Sequence, residues 1–276
     1  MHLSVRKIVV SCTVILAVLA GWFGYTHRVA IKDRLFSHTE DVPAAVNRDD
    51  IVTNSNSNTS ENANANLNTN TPVAEKPLPE EFNLKVPFTS QAPHANWDTD
   101  HDEFCEEAAV LMVGRYWQDR GIADKDEAED ALQQLKTWEV EHLGFYYDTT
   151  AAESASILTG MYDISFDLIE DPTVDAIKRA VVSGRPVIVP TAGRELGNPN
   201  FRQPGPVYHN LVIKGYTKDG RFITNDPGTR KGADYVYDTA VVMNAMHDWV
   251  PKGDRTKAGN GAANGKKVII IARGVL

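Results

Sequence analysis

The sequence predicts an α+β domain, with helices gathered in the first half of its folded region and strands in the second. Three observations lead there. Between Phe104 and Ser183 apolar residues recur at helical spacing. From Pro186 onward they fall instead into short runs bounded by turn residues. From about Asp33 to Glu81 there is no apolar periodicity, so folding is expected to begin near Asn83.

The elements follow in order. Residues 84–88 alternate enough for a short strand. From Phe104, the side chains of Cys105, Ala108, Ala109, Met112 and Tyr116 make one apolar helical face, and Gly121 suits its end. Residues 125–140 read as a second helix with Ala128, Leu132 and Leu135 inward; 151–161 and 174–183 read as a third and fourth. Trp117 and Trp138, within helices, are expected in the core, whereas Trp97 lines a cleft or anchors its loop. Residues 186–190 form a short buried strand. Residues 211–213 and 222–223 make a hairpin turned at Lys218-Asp219-Gly220, and 235–237 and 268–271 add further strands, the last preceded by a surface loop over 259–267.

Composition narrows the function. The chain has 276 residues, 42% hydrophobic and 24% charged, which is ordinary for a globular protein. A net charge of −9 with no basic patch excludes nucleic acid as a partner. The two cysteines, Cys12 and Cys105, stand in unlike settings, because Cys12 belongs to an apolar N-terminal run. Cys105 is therefore a lone thiol in the domain, either an inert small hydrophobe or one kept for its reactivity.

Arg6 and Lys7 precede the apolar run, residues 8–25, which is just long enough to span a ~30 Å hydrocarbon core. Basic residues ahead of it keep the amino end cytoplasmic, and Trp22, Phe23 and Tyr25 suit the interface. A cleaved signal peptide, with Val18-Leu19-Ala20 as its small-residue site, is the alternative. Both place the remainder outside the cytoplasm. The organisation expected is thus an anchor or signal over residues 1–32, a tether over 33–82 and a catalytic domain over 83–276. Asn fills eight positions from 54 to 70 of that tether, among Ser, Thr and Ala, too little apolar surface to offset ordering entropy.

Four residues could carry chemistry. Cys105 sits at the start of a helix, where free N–H groups and the dipole favour a thiolate, while Glu106 and Glu107 oppose it. A cationic partner is then needed. His209 opens the apolar run His209-Asn210-Leu211-Val212-Ile213 and would hold an imidazole on rigid strand, as base and counter-cation, unless it is a bystander at the rim. Asp226, in Asn225-Asp226-Pro227-Gly228, either fixes the tautomer of that ring or simply belongs to a turn. Gln91 either donates its amide to an oxyanion or is an ordinary loop residue. His94, His101 and Cys105, with Asp98, Asp100 and Asp102 between, lack the tight paired spacing of a zinc site, and nothing else calls for a metal or cofactor.

Together, Val86-Pro87-Phe88-Thr89-Ser90-Gln91, Cys105-Glu106-Glu107-Ala108-Ala109, His209 through Tyr216 and Asn225-Asp226-Pro227-Gly228 resemble the bacterial peptidase-like domains related to bacteriocin-processing, double-glycine leader peptidases. The similarity covers residues 84–273, with the motifs in the family's order. It implies a papain-like fold, N-terminal helices packed on an antiparallel sheet with the nucleophile at a helix start. It also implies Cys105 as nucleophile, His209 as base, Asp226 as the residue orienting it and Gln91 as oxyanion donor. Many relatives have Cys-Gly-Pro where this chain has Cys105-Glu106-Glu107, and the stretch from Ala92 to Phe104 is longer here. The resemblance implies a cysteine peptidase acting on a peptide or protein, and the N-terminal segment places it outside the cytoplasm. A cell-wall amidase or acyl transferase, and an inactive peptide-binding module, are the alternatives on the same fold.

If residues 8–25 are an uncleaved anchor, full-length protein will stay in the membrane fraction through a carbonate wash. Recovery of a soluble form beginning at Gly21 would show a cleaved signal instead.

Overall fold

The computed structural model describes residues 42–51 and 77–276, all within one compact unit that runs from Asp41 to Leu276. The expected anchor or signal, residues 1–32, and the Asn-rich stretch lie outside the described residues. Among the described residues no helix is long and apolar enough to cross a membrane.

The chain runs β1 (Phe82–Asn83), α1 (Cys105–Trp117), α2 (Lys125–His142), α3 (Ala151–Tyr162), β2 (Ile164–Glu170), α4 (Val174–Val182), β3 (Val187–Ala192), a 3-10 turn (Gly193–Leu196), β4 (Tyr208–Tyr216), β5 (Phe222–Asn225), β6 (Tyr235–Tyr237), α5 (Thr239–Ala245), β7 (Val250–Pro251), β8 (Gly261–Ala262) and β9 (Val268–Val275). Six strands lie in the order β2-β9-β3-β4-β5-β6, with β1 added to the far end of β4, and every pairing is antiparallel.

Local chemistry sets the helix starts. Asp124 accepts from the N–H groups of Asp126 and Glu127 to cap α2; Thr150 and Glu153 cap α3 reciprocally; Thr173 accepts from Ala176 to cap α4. Helix α1 differs: Phe104 precedes it with no side-chain cap, and every residue from Cys105 to Gly114 is buried. A helix that is apolar nearly all round belongs in an interior. It packs against α2, α3 and β4, the strand whose nine residues are all buried. Gly114 lets α3 approach, since a Cβ there would stand 2.7 Å from the Tyr162 ring.

Three expectations shift. The strand expected over 84–88 lies earlier, at β1, where Asn83 and Phe82 pair with Gly215 and Tyr216. Strand β2, helix α5 and the paired two-residue strands β7 and β8 were not anticipated, β8 lying within the stretch 259–267 expected as a surface loop. Helix α5 is only seven residues long; β2 is an edge strand, and its alternation Ile164-Ser165-Phe166-Asp167-Leu168 carries the two-residue period of a half-exposed strand. Residues 42–51, read as tether, pack on the domain: Val46 bridges Leu84, Asn83 donates to the carbonyl of Pro43, and Arg48 donates to the carbonyl of Trp117 while lying over its ring.

The interior holds one costly pair. Glu107 of α1 and Glu139 of α2 are both fully buried. Burial lifts each carboxyl well above the ordinary range, and no other donor reaches their oxygens, so the hydrogen bond between them uses a proton that one of them keeps. Raised folded-state pKa values mean stability that is present below the ordinary carboxyl pKa of 4.5 and is lost as pH climbs through the folded values. Glu139→Gln keeps a donor for Glu107 and removes one of the two titrations. It is expected to raise the thermal midpoint above wild type at pH 8 by several degrees, the gain shrinking toward pH 5.

Candidate active site

Strand β4 and the turn after β5 build the core of the site. His209, the second residue of β4, is fully buried, and its Nε2 lies 2.8 Å from Asp226 Oδ1. Asp226, immediately after β5, accepts three further hydrogen bonds: from the N–H of Gly228 at 2.9 Å, from Tyr237 O–H at 2.5 Å and from Asn198 Nδ2 at 3.1 Å. Burial alone would raise the carboxyl's pKa. The facing His209 and the Tyr237 and Gly228 donors outweigh it and hold Asp226 below the usual range. An ionised carboxylate accepts only, so the ring proton sits on Nε2. His209 Nδ1 is then a bare acceptor, buried and without a hydrogen-bond partner. Gly228 lies flat against the ring, where a Cβ would come within 2.9 Å of His209 Cε1, and Phe201 packs edge-on at 5.2 Å between centroids.

Cys105 opens α1, where it is only 4% exposed. Its Sγ donates to Glu106 Oε2 at 2.8 Å, and the backbone N–H of Asn210, the residue next to His209, acts on it from the strand side. No hydrogen bond joins Sγ to the His209 ring. The thiol is pushed well above its usual pKa, first by burial and then by the Glu106 carboxyl, with the Asn210 N–H opposing. A thiolate favoured by the helix start is therefore not what this arrangement holds: desolvation exceeds the dipole's effect. Glu106, expected only as an opposing charge, is itself buried and lifted well above the carboxylate range by burial, Glu107 and Asp148.

Gln91 stands close by, its backbone N–H donating to the carbonyl of Pro227. Its side-chain amide is already engaged, at 2.8 Å to the carbonyl of His101 and 3.3 Å to that of Asp102, which leaves Oε1 buried and unpartnered. His101 in turn is clamped between Asp98 at 2.7 Å and Glu129 at 2.9 Å. Burial disfavours its charged form, but those two carboxylates prevail and raise its pKa. The acids of this loop thus hold it in place beside the nucleophile. His94 reaches Asp126 instead, at 3.1 Å.

A cleft of about 310 Å³ opens over Cys105 and Gln91, with Trp97, Phe201, Tyr208 and Trp249 among its walls. The structure thus brings His209 and Asp226 into contact, and places Cys105 and Gln91 on one cleft. Asn198, Tyr237 and Glu106, which complete the hydrogen bonding, were not singled out for these parts. Tyr237 had a visible signal in the alternation of Tyr235-Val236-Tyr237; Asn198 had none.

A helix opening on a buried cysteine, packed against an antiparallel sheet that carries a histidine–carboxylate pair, is the papain-like arrangement. The sequence places the chain within it: the Peptidase_C39 like family matches residues 83–255, more than half of the protein, and the chain belongs to that family. Among solved structures it is similar to a C39-like peptidase from Bacillus anthracis, at 15% identity and a TM-score of 0.42, over 72% of this chain and 98% of that one. It is similar also to a fragment of prointerpain A from Prevotella intermedia, at 15% identity and a TM-score of 0.41, over 82% and 80%. No curated protein matches.

Asp226→Ala leaves Gly228, Tyr237, Asn198 and His209 without their acceptor. Urea denaturation is expected to show a loss of about 3 to 5 kcal/mol, as for other broken buried pairs. Asp226→Asn, which keeps one acceptor oxygen, should lose clearly less.

Proposed function

We propose that the protein is a cysteine peptidase held outside the cytoplasm by its N-terminal segment, with Cys105 as nucleophile and His209 as base. One observation carries the reading: His209 is fixed by Asp226 with Nδ1 bare, buried and unpartnered, one residue from Asn210, whose backbone N–H acts on Cys105 Sγ. A proton acceptor kept free in an interior where such groups are normally paired supports a role in proton transfer.

In the reaction, substrate binding turns Sγ from Glu106 toward the imidazole. The thiol proton passes to Nδ1 as sulfur bonds to the carbonyl carbon, and the carbonyl electron pair moves to oxygen. The backbone N–H of Cys105, free in the first turn of α1, supports that oxyanion. Gln91 Nε2 joins it by releasing the longer of its two bonds. Collapse breaks the C–N bond, and the imidazolium gives its proton to the departing amine. Water then adds to the thioester, its proton going to Nδ1. Expulsion of sulfur frees the new carboxyl group, and the sulfur recovers that proton. Asp226 keeps the ring's orientation throughout.

Glu106 is the resting partner of the thiol. Its neutral form, which burial favours, lets a thiolate develop beside it without a facing charge. The family's Gly-Pro pair cannot do this, so the departure at Glu106 and Glu107 sets a higher resting thiol pKa and a greater dependence on His209.

Cys105→Ser is expected to remain folded by circular dichroism and to lose peptide cleavage. His209→Ala is expected to lose at least about 100-fold in kcat/KM, the lower range for a positioned base, and to slow iodoacetamide alkylation of Cys105 at neutral pH. An unchanged alkylation profile in His209→Ala would overturn the pair. A thiol that reacts normally while no peptide is cut would favour the peptide-binding alternative.

A further inference from the structure

Four of the side chains lining the cleft are carboxylic acids, Asp102, Glu103, Glu106 and Asp148, against a single cation, Arg202. Arg202 lies 3.7 Å from Asp102 and belongs to that exposed rim. The other three acids have no such partner. Among the described residues the carboxyl of Glu103 makes no ion pair or hydrogen bond. The carboxyl of Asp148 receives only the N–H of Gly259, at 2.9 Å; nearby Arg255 donates to the Asp148 backbone carbonyl at 3.3 Å and gives both arms of its guanidinium to Glu153, at 3.1 and 2.8 Å, so its charge reaches the Asp148 carboxyl without a direct pair.

The second observation is independent of charge. Two buried polar atoms of the lining residues have no partner, Gln91 Oε1 and Glu106 Oε1; the first is an acceptor, and the second carries the proton of a carboxyl that burial keeps neutral. The orientation of the Gln91 amide is fixed by the two carbonyls it serves, so its oxygen cannot be exchanged for a donor. What this part of the cleft lacks is positive charge and a donor for Gln91. A buried acceptor left unpaired carries a penalty that a ligand supplying N–H groups would remove. Glu103 shows the same strain: burial, then Asp148, then Asp102 push it up to about 7. No group of three or more acidic, histidine or cysteine side chains among the described residues is arranged to hold a metal ion. An organic cation fits the cleft better. The walls include Trp97 and Trp249, suited to an aliphatic stem or a cation over an aromatic face. The net charge of −9 would draw such a ligand in.

We propose that the cleft beside Cys105 is a specificity site for a cationic side chain, lysine or arginine, of a peptide substrate, received by Glu103 and Asp148. The inference rests on the peptidase reading for the identity of the ligand as a peptide, and its test does not need turnover.

Full-length Cys105→Ser protein would be titrated calorimetrically with alanine hexapeptides in which one lysine is moved through each position. The same peptides carrying ε-acetyl-lysine keep the stem and lose the charge. At one position or more, lysine is expected to bind at least about 10-fold tighter than acetyl-lysine, equivalent to about 1.4 kcal/mol. Adding Glu103→Gln with Asp148→Asn should remove most of that ratio, while the acetylated peptides keep their affinity within about twofold. Glu103→Gln alone, at a partly exposed position, guards against misfolding of the double variant and should remove part of it. Equal affinities, a ratio untouched by the substitutions, or no binding of any peptide would overturn the proposal. The same peptides offered to wild-type protein decide the other question. Lysine-selective binding without any cleavage would sink the peptidase reading and leave the cation site standing, and cleavage indifferent to lysine would do the reverse.

Discussion

The burial of helix α1 is the constraint on which the rest depends. Its sequence carries apolar or small residues on nearly every side, so it cannot lie on a surface. The fold answers by placing α2 and α3 beside it and β4 against it. That placement fixes the start of the helix in the interior, and with it three consecutive titratable residues, Cys105, Glu106 and Glu107. Each then meets the same desolvation, and each resolves it differently. The thiol donates to Glu106, Glu106 accepts with one oxygen and leaves the other unpaired, and Glu107 shares a proton with Glu139. A helix start in water would have favoured the thiolate; one buried among carboxyls favours the thiol.

The opposite balance holds a few residues away. Asp226 is as deeply buried as Glu107, yet its carboxyl is pulled below the ordinary range. The difference is the number of donors. Four reach Asp226, from four separate parts of the chain, whereas Glu107 has only another acid. Burial is therefore not the deciding quantity for a carboxyl in this protein; the donors that accompany it are. The same rule separates the two faces of the site, an anion held by donors behind His209 and acceptors without donors in front of Cys105.

Much of this was legible along the chain. The four long helices announce themselves by their spacing, and Asp124, Thr150 and Thr173 mark three of their starts. The apolar runs of β3, β4 and β9 are unmistakable because those strands are buried on both faces. Cys105, His209 and Asp226 stand out for the rarity of such groups beside apolar runs, and two of them do meet. What escaped detection depends on partners distant in sequence. Glu106 next to a cysteine reads as a repulsive charge until burial makes it a hydrogen-bond acceptor. Asn198 acquires meaning only because a loop brings it to Tyr237 and Asp226. The amide of Gln91 reads as a free donor until two carbonyls of the following loop are seen to occupy it. Strand β2 did carry a signal, the alternation Ile164-Ser165-Phe166-Asp167-Leu168, whereas the seven-residue α5 spans only about two turns, too few for a helical period to show.

Residues 42–51 bear on a different matter, the leash on which the domain would hang. Val46 and Arg48 are fastened to the same body that the chain rejoins at Phe82. The Asn-rich stretch between them therefore begins and ends on one body, and its length adds nothing to the distance between that body and whatever precedes residue 42. Had residues 33–82 all been free, a flexible chain of that length would reach about 40 Å on average; the nine residues from 33 to 41 would reach ~17 Å. Were the domain anchored through its N-terminal segment as proposed, lengthening the Asn-rich stretch would not carry the cleft farther from that anchor.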